Sequence, residues 1–176
     1  MTASLQPTPS QTVGPFFYFG LCTLPQAELV PEGTEGAIEL VGVVFDGAGD
    51  PVPDAMVEIR QADPDGSYRP EFGWGRYGTD ADGSFRFLTV LPGLVPGPGG
   101  RLQPPHIWCF VFARGLLKPL LTRCHFQDGE LAASDPLLAE LEAAERSRLV
   151  AAPDGDARYR FDVHLQGERQ TPFFVL

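Results

Sequence analysis

The chain has 176 residues, a length that corresponds to a single domain. Hydrophobic residues make up 43% of the composition and charged residues 20%, which is typical of a globular protein and excludes a disordered chain. The net charge of −10 disfavours nucleic acids as partners, because an acidic chain repels the phosphate backbone.

Nothing in the sequence predicts a membrane or secretory segment. No apolar run approaches the roughly 18 residues of a membrane span. Residues 1–15 lack the basic and apolar regions of a signal peptide. Cys22, Cys109 and Cys124 form no Cys-x-x-Cys pair, and their odd number favours reduced thiols. We therefore expect a cytoplasmic protein.

The amino-terminal segment 1–36 is predicted to be an extended arm. It contains five prolines and a run of four aromatic residues at 16–19. Buried aromatic rings dominate interface energies, so the run is expected to pack either on its own domain or on a partner chain. We expect the arm to contact a partner chain and residues 37–176 to form a β-sandwich domain.

Short strands are predicted where side chains alternate in polarity or form a β-branched apolar run. The segments with these patterns are 37–46, 55–62, 84–88, 106–114, 119–126, 157–166 and 171–176. Asp63–Gly66 and Asp80–Gly83 are turn signals, and 91–105 is a long loop rich in proline and glycine.

One helix is predicted near 134–149, with Ser134 as its N-cap and leucines at helical spacing. Together with the strands, it predicts a mainly β fold. The expected architecture is an antiparallel β-sandwich of about seven to eight strands, with long loops and this one short helix.

Sequence motifs for nucleotide binding and serine hydrolysis are absent, and only three histidines are available as metal ligands. His164 lies on the polar face of its predicted strand, which favours a solvated side chain. His125 follows Cys124 directly, so the two side chains point to opposite faces and cannot easily share a metal ion. His106 opens a strand after the Pro-rich loop, and from the residues alone it is interpreted as a core or capping histidine.

A family resemblance rests on a series of short motifs that keep their order along nearly the whole chain. These motifs are Gly66–Tyr68, Thr79–Phe87, Leu91–Gly93, Pro104–Ile107, Phe112–Gly115, Tyr159–Asp162 and Leu165–Gly167. In this series the chain resembles the intradiol ring-cleaving dioxygenases. Its start, Thr8–Phe16, resembles the branch of that family that cleaves protocatechuate.

The resemblance implies a β-sandwich and a ferric iron held by two tyrosines and two histidines, because phenolate oxygen is a hard anionic donor that suits a hard ferric ion. The matching positions in this sequence are Tyr68, Val95, His106 and Trp108. Two of the four ligands are therefore missing, and the indole of Trp108 cannot coordinate a metal. We expect no metal and no catalytic residue in this chain. Tyr68 and His106 are then retained for their packing and hydrogen bonds. The alternative is a metal site that acidic residues or the partner chain complete.

Two further substitutions fall in the same region. Where the iron-bearing chains have an arginine just ahead of the histidines, this chain has Gln103, and where they have a pocket tryptophan, it has Arg60. The branch that cleaves protocatechuate consists of two homologous chains, of which the beta chain holds ferric iron and the alpha chain has lost it. The resemblance therefore implies a non-iron alpha subunit in a hetero-oligomer of repeated alpha–beta units, inactive alone. With its partner it would use O2 to open protocatechuate between its two hydroxyls, giving 3-carboxy-cis,cis-muconate.

The resemblance also implies that the alpha chain contributes to the substrate pocket at the alpha–beta contact. The matching positions are Thr12, Gly14, Pro15 and Arg114. An arginine suits the ring carboxylate of the substrate, and a glycine lets the backbone approach a ligand closely. For Thr12, Gly14 and Pro15 the alternative is an ordinary turn. For Arg114 the alternative is a solvated arginine at the end of a strand.

Two other functions stay open at the level of the sequence. The segment 80–87 also occurs in transthyretin-like folds, so the chain can be interpreted as a stand-alone β-sandwich binding module without catalysis. An independent iron enzyme with an altered metal site is the third interpretation.

Overall fold

This computed structural model describes residues 7–22, 26–126 and 135–175. Strands occupy much of the described chain. They are β1 (Ala37–Phe45), β2 (Met56–Gln61), β3 (Trp74–Gly78), β4 (Ser84–Val90), β5 (Val95–Pro96), β6 (Leu102–Gln103), β7 (His106–Phe112), β8 (Leu120–His125), β9 (Ala152–Pro153), β10 (Arg158–Arg160) and β11 (Val163–His164). The helical segments are Pro15–Phe17, a π-helical turn at Tyr18–Cys22, a 3-10 turn at Pro98–Gly100, and the short helices Pro136–Ala139 and Ala143–Ser147.

Two sheets form a sandwich, which confirms the predicted fold class. One sheet has the antiparallel order β3-β2-β7-β8, and in the other β1 lies between β4 and the short strands β10 and β11. The pairing of β1 with β10 and β11 is parallel, so this second sheet is mixed rather than purely antiparallel. Both sheets contribute fully buried side chains to one core, among them Leu40, Phe87, Val57, Ile59 and Val111.

Strand β3 was not predicted. Its sequence, Trp-Gly-Arg-Tyr-Gly, contains two glycines, which weaken strand signals because they bring no side chain to pack. It forms nevertheless because β2 offers it a complete antiparallel ladder from Met56 to Arg60.

The segment 157–166, predicted as one strand, is interrupted between β10 and β11. The backbone N–H of Val43 donates to the carboxylate of Asp162 at 3.0 Å, so a side chain replaces a carbonyl oxygen in the ladder. The strand also passes directly over Gly42, where a Cβ would collide with the carbonyl oxygen of Phe161. The alternation pattern marks the strand, but it does not reveal this local insertion of a side-chain acceptor.

The helix predicted at 134–149 is two short helices. Ser134 lies outside the described residues, and Asp135 caps the first helix by accepting a hydrogen bond from the backbone N–H of Leu137 at 3.0 Å. Glu142 has extended backbone angles and starts the second helix with a capping box to Glu145. This second cap is why the helical spacing does not give one continuous helix.

The end of the chain, predicted as a strand at 171–176, makes a single isolated bridge in its described part, between Phe174 and Leu121. None of the helices in the described ranges is long and apolar enough to cross a membrane.

Candidate functional site

A rigid turn positions Tyr68. The carboxylate of Asp63 accepts hydrogen bonds from the backbone N–H groups of Asp65 and Ser67, at 3.1 Å each, and pairs with Arg69. Gly66 has a φ of 87°, and any Cβ there would collide with the carbonyl oxygen of Leu94. Only glycine therefore lets this turn lie against the loop that continues into β5.

The four positions that match the family's iron ligands lie in one region. Val95 in β5 is buried and pairs with Gln103 in β6. His106 and Trp108 lie on the same face of β7, with their rings 5.8 Å apart in a T-shaped arrangement. Tyr68, Val95 and Trp108 line one cavity of about 480 Å³, together with Gln103. The sequence prediction that these positions belong together is consistent with this geometry.

The cavity contains a buried cation that sequence reasoning missed. Arg123 in β8 is directly opposite Trp108 in β7, and its guanidinium carbon lies 3.9 Å from the centre of the indole ring. Its Nη1 donates to the carboxylate of Asp135 at 2.8 Å, and both side chains are almost fully buried. A guanidinium keeps its charge in proteins, so Arg123 and Asp135 form a buried ion pair beside the Trp108 ring.

Tyr68 keeps its phenol in the neutral form. Burial raises the pKa of the Tyr68 hydroxyl, while the Arg123 guanidinium, the Trp108 indole and the Arg60 guanidinium act in the opposite direction. Arg60 also lies against the Tyr68 ring, at 5.7 Å from its centre, and it donates to the carbonyl oxygens of Phe72 and Arg69.

Two fully buried imidazoles lie behind this cavity. His106 and His125 are paired across β7 and β8, with ring centres 5.6 Å apart. The carbonyl oxygen of Pro104 accepts from Nδ1 of His106 at 2.8 Å, whereas Nε2 of His106 and both nitrogens of His125 have no partner among the described residues. Burial, and then the Arg123 charge, lowers the pKa of His106 to about 4. Burial, followed by His106 and Arg123, lowers that of His125 to about 3. Both rings are therefore neutral at pH 7.

The donors of this region do not fit a ferric ion. One neutral phenol and one imidazole remain of four ligands, and an indole supplies no lone pair for coordination. The Arg123 guanidinium, stacked on Trp108, would in addition repel a trivalent cation at close range. The expectation that this chain holds no iron therefore has a direct physical reason in Trp108, Val95 and Arg123.

The second predicted site lies where the amino-terminal arm meets the end of β7. The hydroxyl oxygen of Thr12 accepts a hydrogen bond from the backbone N–H of Gly115 at 2.8 Å. The Phe17 ring packs on Phe112, with centres 5.9 Å apart. These two contacts place the arm beside Arg114, so the structure brings together residues that are about 100 positions apart in the chain.

Arg114 and Gly14 are both open to solvent. Arg114 has a side chain that is 73% exposed, and its Nε lies 3.1 Å from the carboxylate of Asp54. A Cβ placed at Gly14 would have no heavy atom within 4 Å. Pro15 begins the short helix Pro15–Phe17, and its side chain lies outside the described part of the structure. Nothing inside the described chain therefore requires a glycine at position 14.

The aromatic run at 16–19 was expected to pack either on its own domain or on a partner chain, and its described rings differ in this respect. Phe17 packs on its own domain, whereas Phe16 is 85% exposed. Phe19 is also largely exposed. The arm therefore presents apolar surface outward while it is anchored by Phe17 and Thr12.

The two sites lie at opposite ends of the same region of sheet. Trp108 and Arg114 are six residues apart along β7 and its extension, which corresponds to about 20 Å at roughly 3.3 Å per residue.

The other two histidines behave differently from each other. His164 is half-buried and stacks on Phe45 at 4.9 Å, whereas His125 points away from Cys124, which lies in the core.

Known proteins resemble this chain along most of its length. The model of the family described as "Dioxygenase" matches residues 23–167. The protocatechuate 3,4-dioxygenase alpha chain of Burkholderia cepacia is 38% identical over 97% of this chain and 98% of its own length. The beta chain of the same organism is 34% identical over 77% of this chain and 66% of its own length. Among solved structures, the dioxygenase domain of a dioxygenase–carbohydrate-binding protein fusion from Streptomyces sp. SirexAA-E is 29% identical, covers 92% of this chain and 99% of that one, and has a TM-score of 0.67.

Proposed function

Because this chain belongs to the family of intradiol ring-cleaving dioxygenases, we propose that it is the non-iron alpha subunit of a protocatechuate 3,4-dioxygenase. The observation that carries the proposal is the cavity at Trp108, where the positions of two iron ligands hold residues that cannot bind iron and a guanidinium lies on the indole. Likeness to an alpha chain over 97% of the sequence supports it. A catalytic centre must then come from a second chain.

The second chain in this proposal is a homologous beta subunit that holds the ferric iron. Bound there, the iron would activate the substrate's two adjacent hydroxyls toward O2, so that the ring would open between them to give 3-carboxy-cis,cis-muconate. The chain described here contributes substrate contacts and assembly contacts and is inactive alone.

Arg114 is the residue proposed to bind the substrate. Its side chain is exposed, and within the described part of the chain it pairs with Asp54 through Nε alone, so its remaining N–H groups are available to a ligand. A guanidinium forms a charge-assisted, two-pronged hydrogen bond with a carboxylate, which matches the ring carboxylate of protocatechuate. Binding there orients the ring from the end opposite the hydroxyls.

Thr12, Gly14 and Pro15 are proposed as a wall of the same pocket. Thr12 fixes the arm to the Arg114 turn through Gly115, and Gly14 adds no side chain to the surface beside it. The exposed Phe16 ring extends this surface toward the partner. In the same proposal, residues 1–36 form the contact arm, residues 37–176 the sandwich domain, and alpha–beta units repeat in the assembly.

We propose that this protein is cytoplasmic. Cys109 and Cys124 are buried free thiols in the core. Burial raises the pKa of the Cys109 thiol to about 12, and that of Cys124 is raised as well. Such thiols stay protonated and reduced in a reducing compartment.

Co-expression with an iron-bearing beta chain tests the function. The full chain is purified alone and with the beta chain, and iron content, visible ligand-to-metal colour, mass and ring cleavage of protocatechuate are measured. We expect colour, iron and activity only in the joint preparation, in a particle that contains both chains. Tight iron and colour in the chain alone would overturn the alpha-subunit proposal, and a stable iron-free monomer that ignores the beta chain would support a stand-alone binding module.

A further inference from the structure

Asp54 lies in a turn that the fold holds in place. Residues 52–55 form this turn, which leads into β2. The hydroxyl of Thr79 donates to the carbonyl oxygen of Val52 at 2.7 Å and accepts from the backbone N–H of Ala55 at 3.0 Å. Thr79 and Ala55 are both almost fully buried. The backbone of Asp54 therefore has a fixed position.

One oxygen of the Asp54 carboxylate holds the Arg114 side chain by its Nε. The Oδ2 atom of Asp54 lies 3.1 Å from Nε of Arg114, and the two groups form an ion pair. A guanidinium has five N–H donors, so a carboxylate at Nε leaves those of the two terminal nitrogens free. These two nitrogens form a fork that can bind another carboxylate through two parallel hydrogen bonds.

The other oxygen of the same carboxylate does not stabilise the fold. Oδ1 of Asp54 is buried and has no hydrogen-bond partner in the described ranges. A buried acceptor without a donor costs free energy of folding, and such a group calls for an explanation. The contact between Oδ2 and Arg114 provides one, because it orients a side chain that the fold itself does not need.

The backbone around Arg114 is fixed, but its side chain is not. Ala113, the residue before it, is buried, and the backbone N–H of Gly115, the residue after it, donates to the hydroxyl oxygen of Thr12 at 2.8 Å. The Arg114 side chain is 73% exposed, and a long exposed side chain samples many rotamers. Among the described residues, Asp54 is the ion-pair partner that limits this freedom.

We propose that Asp54 is a positioning residue for the aromatic carboxylate substrate. It orients the Arg114 guanidinium before the substrate arrives, so that less side-chain freedom is lost when the substrate binds. This role rests on the proposed function, in which Arg114 binds the ring carboxylate. Asp54 acts through Arg114 and does not touch the substrate.

The negative charge of Asp54 has two opposing effects on binding. An oriented guanidinium favours the substrate, whereas the carboxylate of Asp54 repels that of the substrate. Both side chains of the ion pair are partly exposed, and water and salt screen the repulsion between separated charges. The loss of rotamers is not reduced by screening, so the orienting effect dominates. Removal of Asp54 is therefore expected to raise the KM.

Steady-state kinetics of the complex with the iron-bearing beta chain provide the test. Asp54→Ala is expected to raise the KM for protocatechuate about twofold to tenfold, the scale of immobilising one long side chain, with kcat and iron content unchanged. Asp54→Asn loses the charge but keeps an oxygen near Nε, so its KM should rise less. Asp154→Ala is the matched control, since Asp154 pairs with Nε of Arg158 in the same way, at 3.2 Å. It should leave the KM unchanged.

Two further measurements separate positioning from a structural role. In the double variant Asp54→Ala with Arg114→Ala, the KM should equal that of Arg114→Ala alone, because the two residues act as a unit. Catechol has the two hydroxyls but no carboxylate, so its inhibition constant should be the same with and without Asp54→Ala. Additive effects in the double variant, or weaker inhibition by catechol in Asp54→Ala, would overturn the proposal.

The result for Arg114→Ala distinguishes this proposal from the proposed function. If Arg114→Ala raises the KM but Asp54→Ala leaves it unchanged or lowers it, Arg114 binds the substrate without Asp54 and the positioning role is wrong. If Arg114→Ala leaves the KM unchanged, the substrate role of Arg114 and the role of Asp54 both fail. Should Asp54→Ala not fold, the double-variant comparison is made with Asp54→Asn, which has nearly the same shape as the parent side chain.

Discussion

The Arg123 guanidinium carbon lies 3.9 Å from the centre of the Trp108 indole ring, directly across from it on the neighbouring strand. Tryptophan is the aromatic side chain that attracts a cation most strongly, and Asp135 neutralises the same guanidinium from another side. A positive charge is thus held by a π face and a carboxylate, beside positions where the family resemblance implies phenolate and imidazole ligands. The tryptophan at position 108 therefore accommodates the guanidinium of Arg123, a cation that belongs to the protein itself.

Trp108→His alone is expected to bind no iron. The new imidazole would restore one ligand, but Val95 still supplies no phenolate and the Arg123 charge remains beside the site. Iron content and visible absorption of the purified chain measure the outcome. Trp108→Phe is the control, because it removes the indole without adding a ligand. Stoichiometric iron in Trp108→His but not in Trp108→Phe would contradict the prediction.

Arg123→Met is expected to destabilise the chain strongly. It leaves the buried carboxylate of Asp135 unpaired, and breaking a buried ion pair in this way costs about 3–5 kcal/mol. Urea unfolding measures the free energy. The double variant Arg123→Met with Asp135→Asn removes both charges but keeps an oxygen to cap Leu137, so it should recover part of the loss. If the double variant is less stable than Arg123→Met alone, the ion pair is not the cause.

Stability is expected to fall with acid because of His106 and His125. Their pKa values in the folded chain are about 4 and about 3, below the value of about 6.5 in an unfolded chain. The unfolded state therefore binds more protons below pH 6.5, and the free energy of unfolding decreases as the pH falls from there toward 4. Each histidine should contribute on the order of 2 kcal/mol between pH 6.5 and 5.

Denaturant unfolding between pH 7.5 and 5 measures this slope. His125→Leu removes one of the two groups, so its slope should be shallower than that of the parent chain. His164→Gln is the comparison, since that histidine is only partly buried. An unchanged slope in His125→Leu would exclude the buried pair as the origin of the acid sensitivity.

Arg114→Ala, made in the assembled complex, is expected to raise the KM for protocatechuate and to leave the iron content unchanged. One charge-assisted hydrogen bond to a carboxylate contributes about 1.5–3 kcal/mol, which corresponds to roughly a tenfold to hundredfold change in KM. Arg158→Ala is the matched control, since that arginine is about half exposed and pairs with Asp154 at 3.2 Å. The same KM in both variants would exclude Arg114 from the pocket.

Gly14→Ala is expected to impair the complex but not the isolated chain. A Cβ at this position meets nothing within 4 Å inside the chain, so the fold has no reason to resist it. The effect should therefore appear only in partner association or in KM. Gly20→Ala, at a position that is equally open, is the control. A lower melting temperature of isolated Gly14→Ala would show that the glycine serves the fold instead.

The sandwich was predictable because its strands carry strong local patterns. In β2, Val57 and Ile59 are fully buried while Glu58 and Arg60 are half-buried, as the alternation indicates. That positions 95 and 108 hold a valine and a tryptophan, neither of which can bind iron, is also read directly from the sequence, since it depends only on residue type. Both kinds of information are local in the sequence.

The ion pair of Arg123 and Asp135 was not predictable in the same way. It depends on which residue of β8 faces Trp108, and that register is set by contacts along the whole of β7 and β8. A charged residue within the apolar strand Leu-Leu-Thr-Arg-Cys-His was the available signal, because arginine is rarely buried without a partner. Likewise, the interruption at Asp162 depends on its contact with Val43, 119 residues away.

The position of β1 has a consequence for how the chain folds while it is being synthesised. One edge of β1 pairs with β4 soon after both emerge, but the other edge waits for β10, β11 and Asp162 near the end of the chain. At a synthesis rate of about 5–20 residues per second, that delay is roughly 6 to 24 s. During this time the growing chain exposes an unpaired apolar strand edge, the kind of surface that chaperones bind and that promotes aggregation.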